Sequence, residues 1–210
     1  MANPEPYRTV AGRASAEFTV QGSRFVGYLA PADTVNEAEA FVAEVEAEHD
    51  DATHNVPAYR VPAGDGASRT PGEVMLREYS SDDGEPTGSA GDPALNVLEQ
   101  QEIRNVVAVV TRYYGGTNLG VGGLARAYSR AVKEGLDAAG VVEEEPHERV
   151  DLAVAYDDSG TVRGVLESSG VEFEADYDER VTFEARVPVA EADGLRDRLR
   201  SATSGRVDIG

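Results

Sequence analysis

The sequence predicts a two-domain α+β protein whose domains cover residues 1–144 and 145–210. The front part mixes β-branched runs with segments of helical periodicity, which indicates strands and helices packed in layers. A boundary is expected at Val141–His147, where the sequence VVEEEPH joins an acidic run to a proline. Beyond it, the pattern gives the order strand, helix, strand, strand, helix, strand, which is the ferredoxin-like plan.

The first elements of the front domain are predicted from turn and cap residues. Phe18–Tyr28 is expected to be a strand or hairpin with Gly22 in its turn. Thr34 is a suitable cap for a helix that runs to about Glu48, because an apolar stripe follows it at helical spacing. The next elements are a strand at Val56–Val61, an exposed loop at Pro62–Gly72, a strand at Val74–Tyr79 and a helix at Pro93–Gln101.

The centre of the chain has the clearest periodicity. Val106–Val110 is a β-branched run without a polar break, which is typical of a strand covered on both faces. A helix is predicted at Val121–Ala139, where Leu124, Tyr128 and Val132 form an apolar stripe. We expect an antiparallel-biased sheet with the three front-domain helices on one face.

The second domain is predicted to consist of closely spaced strands and helices. Neither domain is basic as a whole. The elements of the second domain are a strand at Val150–Ala155, a helix at Thr161–Ser168, strands at Val171–Ala175 and Val181–Val187 around a hairpin turn at Asp176–Glu179, a helix at Ala190–Ser201 and a strand at Val207–Ile209.

Charge singles out one stretch, Ile103–Lys133, which contains five cations and no Asp or Glu in a chain of net charge −20. Within it, residues 115–123 include five glycines between the predicted strand and helix. Unpaired amides at a helix N-terminus form an anion site, whereas a tight turn with close packing would also explain the glycines. Leu124 follows Gly123, so the stretch lacks the Gly-Lys-Ser/Thr of a phosphate-binding P-loop, and no cofactor is predicted.

A nucleic-acid or anion site is therefore predicted around this turn. Arginine, lysine and free amides hold phosphates, and tyrosines stack on bases. The predicted residues are Arg112, Tyr113, Tyr114, Gly115, Gly116, Asn118, Gly120, Gly122, Gly123, Arg126, Arg130 and Lys133.

A second group of polar residues allows two interpretations. His49 and His54, with the acidic turn that contains Asp83 and Glu85, could form an acid/base or metal cluster. The histidines could instead bond the loop backbone, and the acids could cap a turn. The spacing matches neither a zinc site nor a calcium loop, so no metal and no catalytic residue are predicted.

Composition restricts the setting of the protein. The chain has no cysteine, no apolar stretch long enough to span a membrane and no signal-peptide core near its start, so a soluble, cytoplasmic protein is expected. It has 18 arginines and one lysine, and acids outnumber bases by 39 to 19. Because such a surface is typical of extreme halophiles, we predict an origin in a halophilic prokaryote.

The segment Arg112–Tyr128, RYYGGTNLGVGGLARAY, resembles the signature of the IMPACT/YigZ family. Three upstream segments also resemble the family, in the family's order: SRFVGYLAP, HDDATHNVPAYRV and DDGEPTGSAGDPAL. The resemblance implies a front domain, an α/β sandwich, like a ribosomal-protein domain and domain IV of elongation factor G, followed by a domain like domain V. Eukaryotic relatives regulate a translation-control kinase pathway through protein partners.

Three functions are consistent with these observations. The leading hypothesis is a non-enzymatic, translation-associated protein that binds RNA or the ribosome through the glycine-rich turn and the basic helix face. The second is a regulator of translation that binds a protein partner with the same surface. The third is a hydrolase or phosphate-handling enzyme, which requires His49, His54, Asp83 and Glu85 to converge in one cleft near the turn.

Overall fold

The computed structural model describes residues 5–64, 74–178 and 180–210. Residues 65–72 of the predicted exposed loop and Glu179 of the predicted hairpin turn lie outside the described residues. The chain divides into two compact units, one formed by Tyr7–Glu144 and the other containing Glu145–Gly210. Each unit combines a sheet with helices, so the predicted two-domain α+β class is confirmed. Among the helices of the described part, none is both long and apolar enough to cross a bilayer.

The first unit is built on a five-stranded antiparallel sheet in the order β2-β3-β6-β4-β5. Its central strand β6 extends the predicted apolar run by three residues and is buried from Val106 to Arg112. The strands are β2 (Ala14–Val20), β3 (Ser23–Pro31), β4 (His54–Pro62), β5 (Leu76–Ser80) and β6 (Val106–Tyr113).

Three helices cover this sheet: α1 (Val35–Glu48), α2 (Gly91–Gln100) and α3 (Val121–Ala139). Helix α3 has the predicted limits, because its apolar stripe is long and Gly140 ends it at φ +73°. Helix α1 begins where predicted, since the Thr34 hydroxyl accepts a hydrogen bond from the Glu37 amide at 3.1 Å.

The prediction that all three helices lie on one face of the sheet is wrong. Alternate β6 residues pack in opposite directions: Val106, Ala108 and Val110 join the core of α2 and α3. Val107 and Val109 join a separate core formed with α1. A strand that is apolar at every position needs cover on both faces, so the sheet lies between helical layers.

A second, two-stranded sheet was not predicted. It pairs β1 (Tyr7–Val10) with β7 (Val141–Glu144) in antiparallel register. The division between the two units falls inside the predicted boundary segment, but the first four residues of that segment form a strand after α3. Its carboxylates do not oppose strand formation because Glu143 stays exposed and the Tyr7 hydroxyl donates to Glu144 at 3.4 Å.

The second unit has the predicted order of elements, with sheet order β11-β8-β10-β9 and antiparallel neighbours throughout. This is the ferredoxin-like arrangement. Helix α4 begins five residues before the predicted start, because Asp157 and Asp158 favour a helix N-terminus. The elements are β8 (His147–Val154), α4 (Tyr156–Ser169), β9 (Glu172–Tyr177), β10 (Val181–Pro188), α5 (Val189–Ala202) and β11 (Asp208–Ile209).

Candidate anion-binding site

Arg112, at the end of β6, is buried rather than exposed. Its Nη1 donates to Glu85 Oε1 at 2.5 Å, and its Nη2 donates to Ser23 Oγ at 3.3 Å. The guanidinium also lies 5.5 Å from the Phe25 ring centroid and 5.4 Å from that of Tyr114. The interpretation that Arg112 shares an exposed cationic face with the α3 cations is therefore wrong, because its charge is neutralised inside the fold.

Glu85 comes from the acidic turn after β5 and joins three elements. Its side chain is 3% exposed, and Oε1 accepts a second hydrogen bond, from the Tyr128 hydroxyl of α3 at 2.7 Å. Burial and this bond to the carboxylate raise the pKa of Tyr128 far above its ordinary value. Glu85 Oε2 accepts no hydrogen bond from any described residue and faces His54 Nε2 at 3.8 Å.

The glycine-rich turn, residues 115–123, is fixed at its first residue by backbone packing. A Cβ on Gly115 would lie 1.9 Å from the carbonyl carbon of Gly22, so only glycine fits there. The Gly115 amide also donates to Ser23 Oγ at 3.2 Å. Gly120 precedes α3 at φ +71° and ψ 162°, a conformation that side chains rarely adopt. Close packing therefore explains the glycine at 115, and backbone conformation explains the one at 120.

Beyond Gly115, the amides of the turn are open. No described residue accepts a hydrogen bond from the backbone amides of residues 116–123. Helix α3 has no side-chain cap, so Val121, Gly122 and Gly123 direct unpaired N–H groups outward at the positive end of its dipole. This is the arrangement that the anion interpretation requires.

The cations of α3 differ in their freedom. Arg130 donates to Glu134 Oε1 at 2.7 Å and covers the Phe18 ring at 4.0 Å. Arg126 and Lys133 are exposed, and neither has a hydrogen bond or ion pair among the described residues. The exposed cationic face is therefore smaller than predicted, because the first acid after the acid-free stretch pairs with Arg130.

The two predicted stacking residues also differ. The Tyr113 hydroxyl donates to Asp51 Oδ1 at 3.1 Å, and Arg24 covers its ring at 5.2 Å. Tyr114 is 47% exposed, and its hydroxyl donates to Asn118 Oδ1 at 3.3 Å. Tyr114 is therefore the better placed of the two for stacking.

The four residues of the predicted polar cluster do not converge. His54 and Glu85 face each other, and His54 Nδ1 donates to the Asp83 carbonyl at 2.6 Å. The Asp83 carboxylate accepts from the Asn55 amide at 2.6 Å. His49 lies between the hydroxyls of two tyrosines instead, at 2.6 Å from Tyr28 and 2.8 Å from Tyr113. The described residues contain no group of three or more His, Cys, Asp or Glu that could hold a metal ion.

Asp82 is a residue of the acidic turn that the sequence did not single out. Its carboxylate accepts from the amides of Gly88 at 2.7 Å, Ala90 at 3.0 Å and Gly91 at 2.9 Å. Burial alone would raise the pKa of this carboxyl, but the three amides outweigh it and lower the pKa below its ordinary value. Asp82 thereby accepts from the amides at the N-terminus of α2, and because it lies nine residues before the first helical residue, its capping role has no local sequence signal.

These residues enclose a cleft of about 480 Å³. Its polar lining contains Thr53, His54, Glu85, Arg112, Tyr114 and Asn118, and its remaining lining contains Pro86, Leu119, Gly120, Val121 and Leu124. The acidic turn and the glycine-rich turn thus both form walls of one cleft. A cleft of this size accommodates a ligand as large as a nucleotide.

Comparison with known proteins connects this cleft to a family. Residues 21–136, more than half of the chain, match the Impact N-terminal domain. The chain belongs to the IMPACT family. Residues 152–206 match DUF1949, a domain of unknown function that covers most of the second unit.

Relatives of the whole chain are also IMPACT proteins. The chain is 36% identical to IMPACT family member YvyE of Bacillus subtilis (strain 168) over 97% of this chain and 89% of the relative. It is 32% identical to IMPACT family member YigZ of Escherichia coli (strain K12) over 90% of each chain. A crystal structure of a hypothetical protein superposes with a TM-score of 0.68 and 31% identity, covering 98% of this chain and 96% of the other.

In this IMPACT protein, the cleft unites residues from both predicted sets. Arg112, Tyr114, Asn118 and Gly120 come from the predicted nucleic-acid set, and His54 and Glu85 come from the polar cluster. Leu119 and Pro86 line the cleft without having been predicted, because apolar residues inside polar loops carry no signal of their position in the fold.

Proposed function

We propose that this IMPACT-family protein acts in the cytoplasm as a regulator of translation that binds RNA or the ribosome through the glycine-rich turn. The family resemblance supports the translational role, since eukaryotic relatives regulate translation. The observation that carries the binding role is the uncapped N-terminus of α3, where the amides of residues 116–123 have no acceptor in the described structure.

Two exposed cations extend this amide site along α3. Arg126 and Lys133 lie seven residues apart, two turns along the helix, without a carboxylate partner among the described residues. Helix geometry therefore places them on the same side of α3. A chain of phosphates can therefore contact the amides first and then these side chains, while Tyr114 offers a ring to a base.

Because Arg126 and Lys133 are the cations of α3 without a partner among the described residues, the salt dependence of RNA binding can be estimated. The logarithm of RNA affinity falls with the logarithm of salt concentration at a slope of about −0.7 per neutralised phosphate of a single strand. With Arg126 and Lys133 as the contacts, we expect a slope of about −1.4. If all five cations of the acid-free stretch were in contact, the slope would be about −3.5.

The experiment measures binding of a fluorescent single-stranded RNA between the lowest salt concentration at which circular dichroism shows folded protein and about 2 M. Arg126→Glu with Lys133→Glu should weaken binding at least tenfold. Arg198→Glu with Arg200→Glu, on α5 of the second unit, makes the same change in net charge and should leave the affinity within a factor of about two.

Equal weakening by both pairs would mean that net charge alone governs binding, and the proposed site would be wrong. RNA that does not bind, together with a ribosomal or other protein recovered from extract by the wild type and lost in the α3 pair, would favour the protein-partner function.

We also propose that the charge of −20 reflects adaptation to high salt. Complete folding without molar salt, measured by circular dichroism, would contradict this.

A further inference from the structure

Gly122 is a glycine that the fold itself does not require. It is exposed in the first turn of α3 and is absent from the residues with positive φ. A Cβ there would meet only Arg126 Nη1, at 3.5 Å, which is an ordinary contact. Glycine in a helix is less stable than alanine by up to about 1 kcal/mol, and no contact within the described structure requires glycine at position 122. What distinguishes Gly122 from other unconstrained helical glycines, such as Gly164 in α4, is its place among the open amides of α3, where the absence of a side chain lets a ligand approach the backbone closely.

The acidic turn contributes to the cleft a buried carboxylate with one oxygen that accepts no hydrogen bond from a described residue. The Glu85 side chain is 3% exposed, and its Oε2 accepts no hydrogen bond from a described residue. His54 donates from Nδ1 to a carbonyl, so in the neutral imidazole the Nε2 atom carries a lone pair. With His54 neutral, two acceptors 3.8 Å apart face the cleft, and a hydroxyl group can donate to either.

The two walls together specify a ligand with three chemical parts. The open amides that begin at Val121, which lines the cleft, and the unpaired Arg126 in the following turn of α3 select an anion. The Glu85 and His54 acceptors select a hydroxyl donor, and the exposed ring of Tyr114 selects a flat, aromatic group. A ribonucleotide carries all three, and its size suits a cleft of about 480 Å³.

We propose that this cleft holds one ribonucleotide unit, which rests on the proposed function and names its ligand. The phosphate accepts hydrogen bonds from the amides of Val121, Gly122 and Gly123. The ribose 2′-hydroxyl donates to Glu85 Oε2 or His54 Nε2, and the base stacks on Tyr114. The 2′-hydroxyl is the group that distinguishes RNA from DNA, so the cleft confers a preference for RNA.

The test titrates the full-length protein with AMP, 2′-deoxy-AMP and inorganic phosphate, using amide NMR shifts to measure affinity. AMP should shift the amides of residues 121–123 and bind several-fold more tightly than either other ligand. His54→Phe should narrow the difference in affinity between AMP and 2′-deoxy-AMP, because only Glu85 Oε2 then remains to accept from the 2′-hydroxyl.

Gly122→Ala separates a binding role from a structural one. The methyl group should reduce AMP affinity about tenfold, while the melting temperature stays the same or rises by up to about 4 °C. Gly164→Ala is the matched control, because Gly164 lies in α4 with no heavy atom within 4 Å of an added Cβ. It should raise the melting temperature without changing AMP affinity.

Equal affinities for AMP and 2′-deoxy-AMP, phosphate binding as tightly as AMP, or unchanged AMP affinity in Gly122→Ala would each overturn the ribonucleotide site. If any of these occurs while RNA still binds through Arg126 and Lys133, the proposed function stands without this site. If AMP binds as expected and RNA does not bind, the site stands and the proposed function fails.

Discussion

Two helices of the first unit, α2 and α3, begin after short irregular segments. Their N-termini differ in whether the amides there have a hydrogen-bond acceptor within the described structure. At α2, the Asp82 carboxylate accepts from the amides of Gly88, Ala90 and Gly91. At α3, the amides of residues 116–123 meet no acceptor in the described structure. The fold thus supplies an internal anion to one helix and leaves the equivalent position open at the other. This difference from α2 is the reason for proposing that α3 receives its acceptor from a ligand.

The acidic turn contributes to both sides of this contrast. Asp82 caps its own helix, whereas Glu85, three residues later, reaches across to Arg112 at the base of the glycine-rich turn. Asp82 therefore stabilises the start of α2, and Glu85 stabilises the base of the glycine-rich turn, so the two contributions can be measured by separate substitutions.

The largest effect is expected for Glu85→Ala. It removes the partner of Arg112, whose side chain is 5% exposed, and leaves a buried charge uncompensated. The free energy of unfolding should fall by about 3–5 kcal/mol. Urea denaturation followed by circular dichroism measures this loss.

The control for Glu85→Ala removes the charge on both sides. Glu85→Ala with Arg112→Met should recover a large part of the lost stability, because no buried charge is then unpaired. If the double variant is less stable than Glu85→Ala alone, the loss comes from packing and not from the unpaired guanidinium.

A smaller effect is expected for Asp82→Ala, which leaves three amides without their acceptor. The loss should be about 2–3 kcal/mol, because hydrogen bonds to a charged group are stronger than neutral ones. Thr34→Ala, which removes the single side-chain bond at the start of α1, should cost only about 1 kcal/mol. If Asp82→Ala lowered the free energy of unfolding no more than Thr34→Ala does, the Asp82 carboxylate would not be an unusually strong cap for α2. The contrast between the N-termini of α2 and α3 would then be lost.

The Asp82 contribution should also depend on pH. Its pKa is lower in the folded chain than the ordinary value of 3.8, so its stabilisation is fully present above that value. It is lost as the pH falls through the folded-state pKa. The difference in stability between wild type and Asp82→Asn should therefore shrink below about pH 4, which urea melts at a series of pH values would measure.

The smallest effect on stability is expected from adding phosphate, the anion proposed to bind at the N-terminus of α3. With a dissociation constant of about 10 mM, 20 mM phosphate would stabilise the fold by about 0.7 kcal/mol and raise the melting temperature by about 2 °C. Chloride at equal ionic strength is the reference. The rise should be smaller in Arg126→Glu, and an equal rise in both proteins would place the bound anion elsewhere.

The strong periodic patterns of the sequence predicted the fold well. The apolar stripe of α3 gave its limits because 19 residues repeat the helical period. The apolar run of β6 also implies cover on both faces of the sheet, whereas the predicted arrangement places α1 on the same face as α2 and α3. Sheet topology decides which face a helix reaches, and periodicity within the helix does not contain that information.

The site was predicted less well, because its polar residues are paired over long sequence distances. Arg112 and Glu85 are 27 residues apart, so local sequence could not show that each neutralises the other. The glycine-rich turn was recognisable from composition. The separate causes of its glycines, packing at Gly115 and backbone conformation at Gly120, follow only from the coordinates.

The contact between Gly22 and Gly115 has a mechanical consequence. Since backbone meets backbone there, the β2–β3 hairpin fixes the position of the first residue of the turn. A side chain at position 22 would come within 2.9 Å of the Gly115 carbonyl oxygen, so it would displace the start of the turn together with the hairpin. The shape of the proposed binding site thus depends on a hairpin residue that supplies none of the groups proposed to contact the ligand.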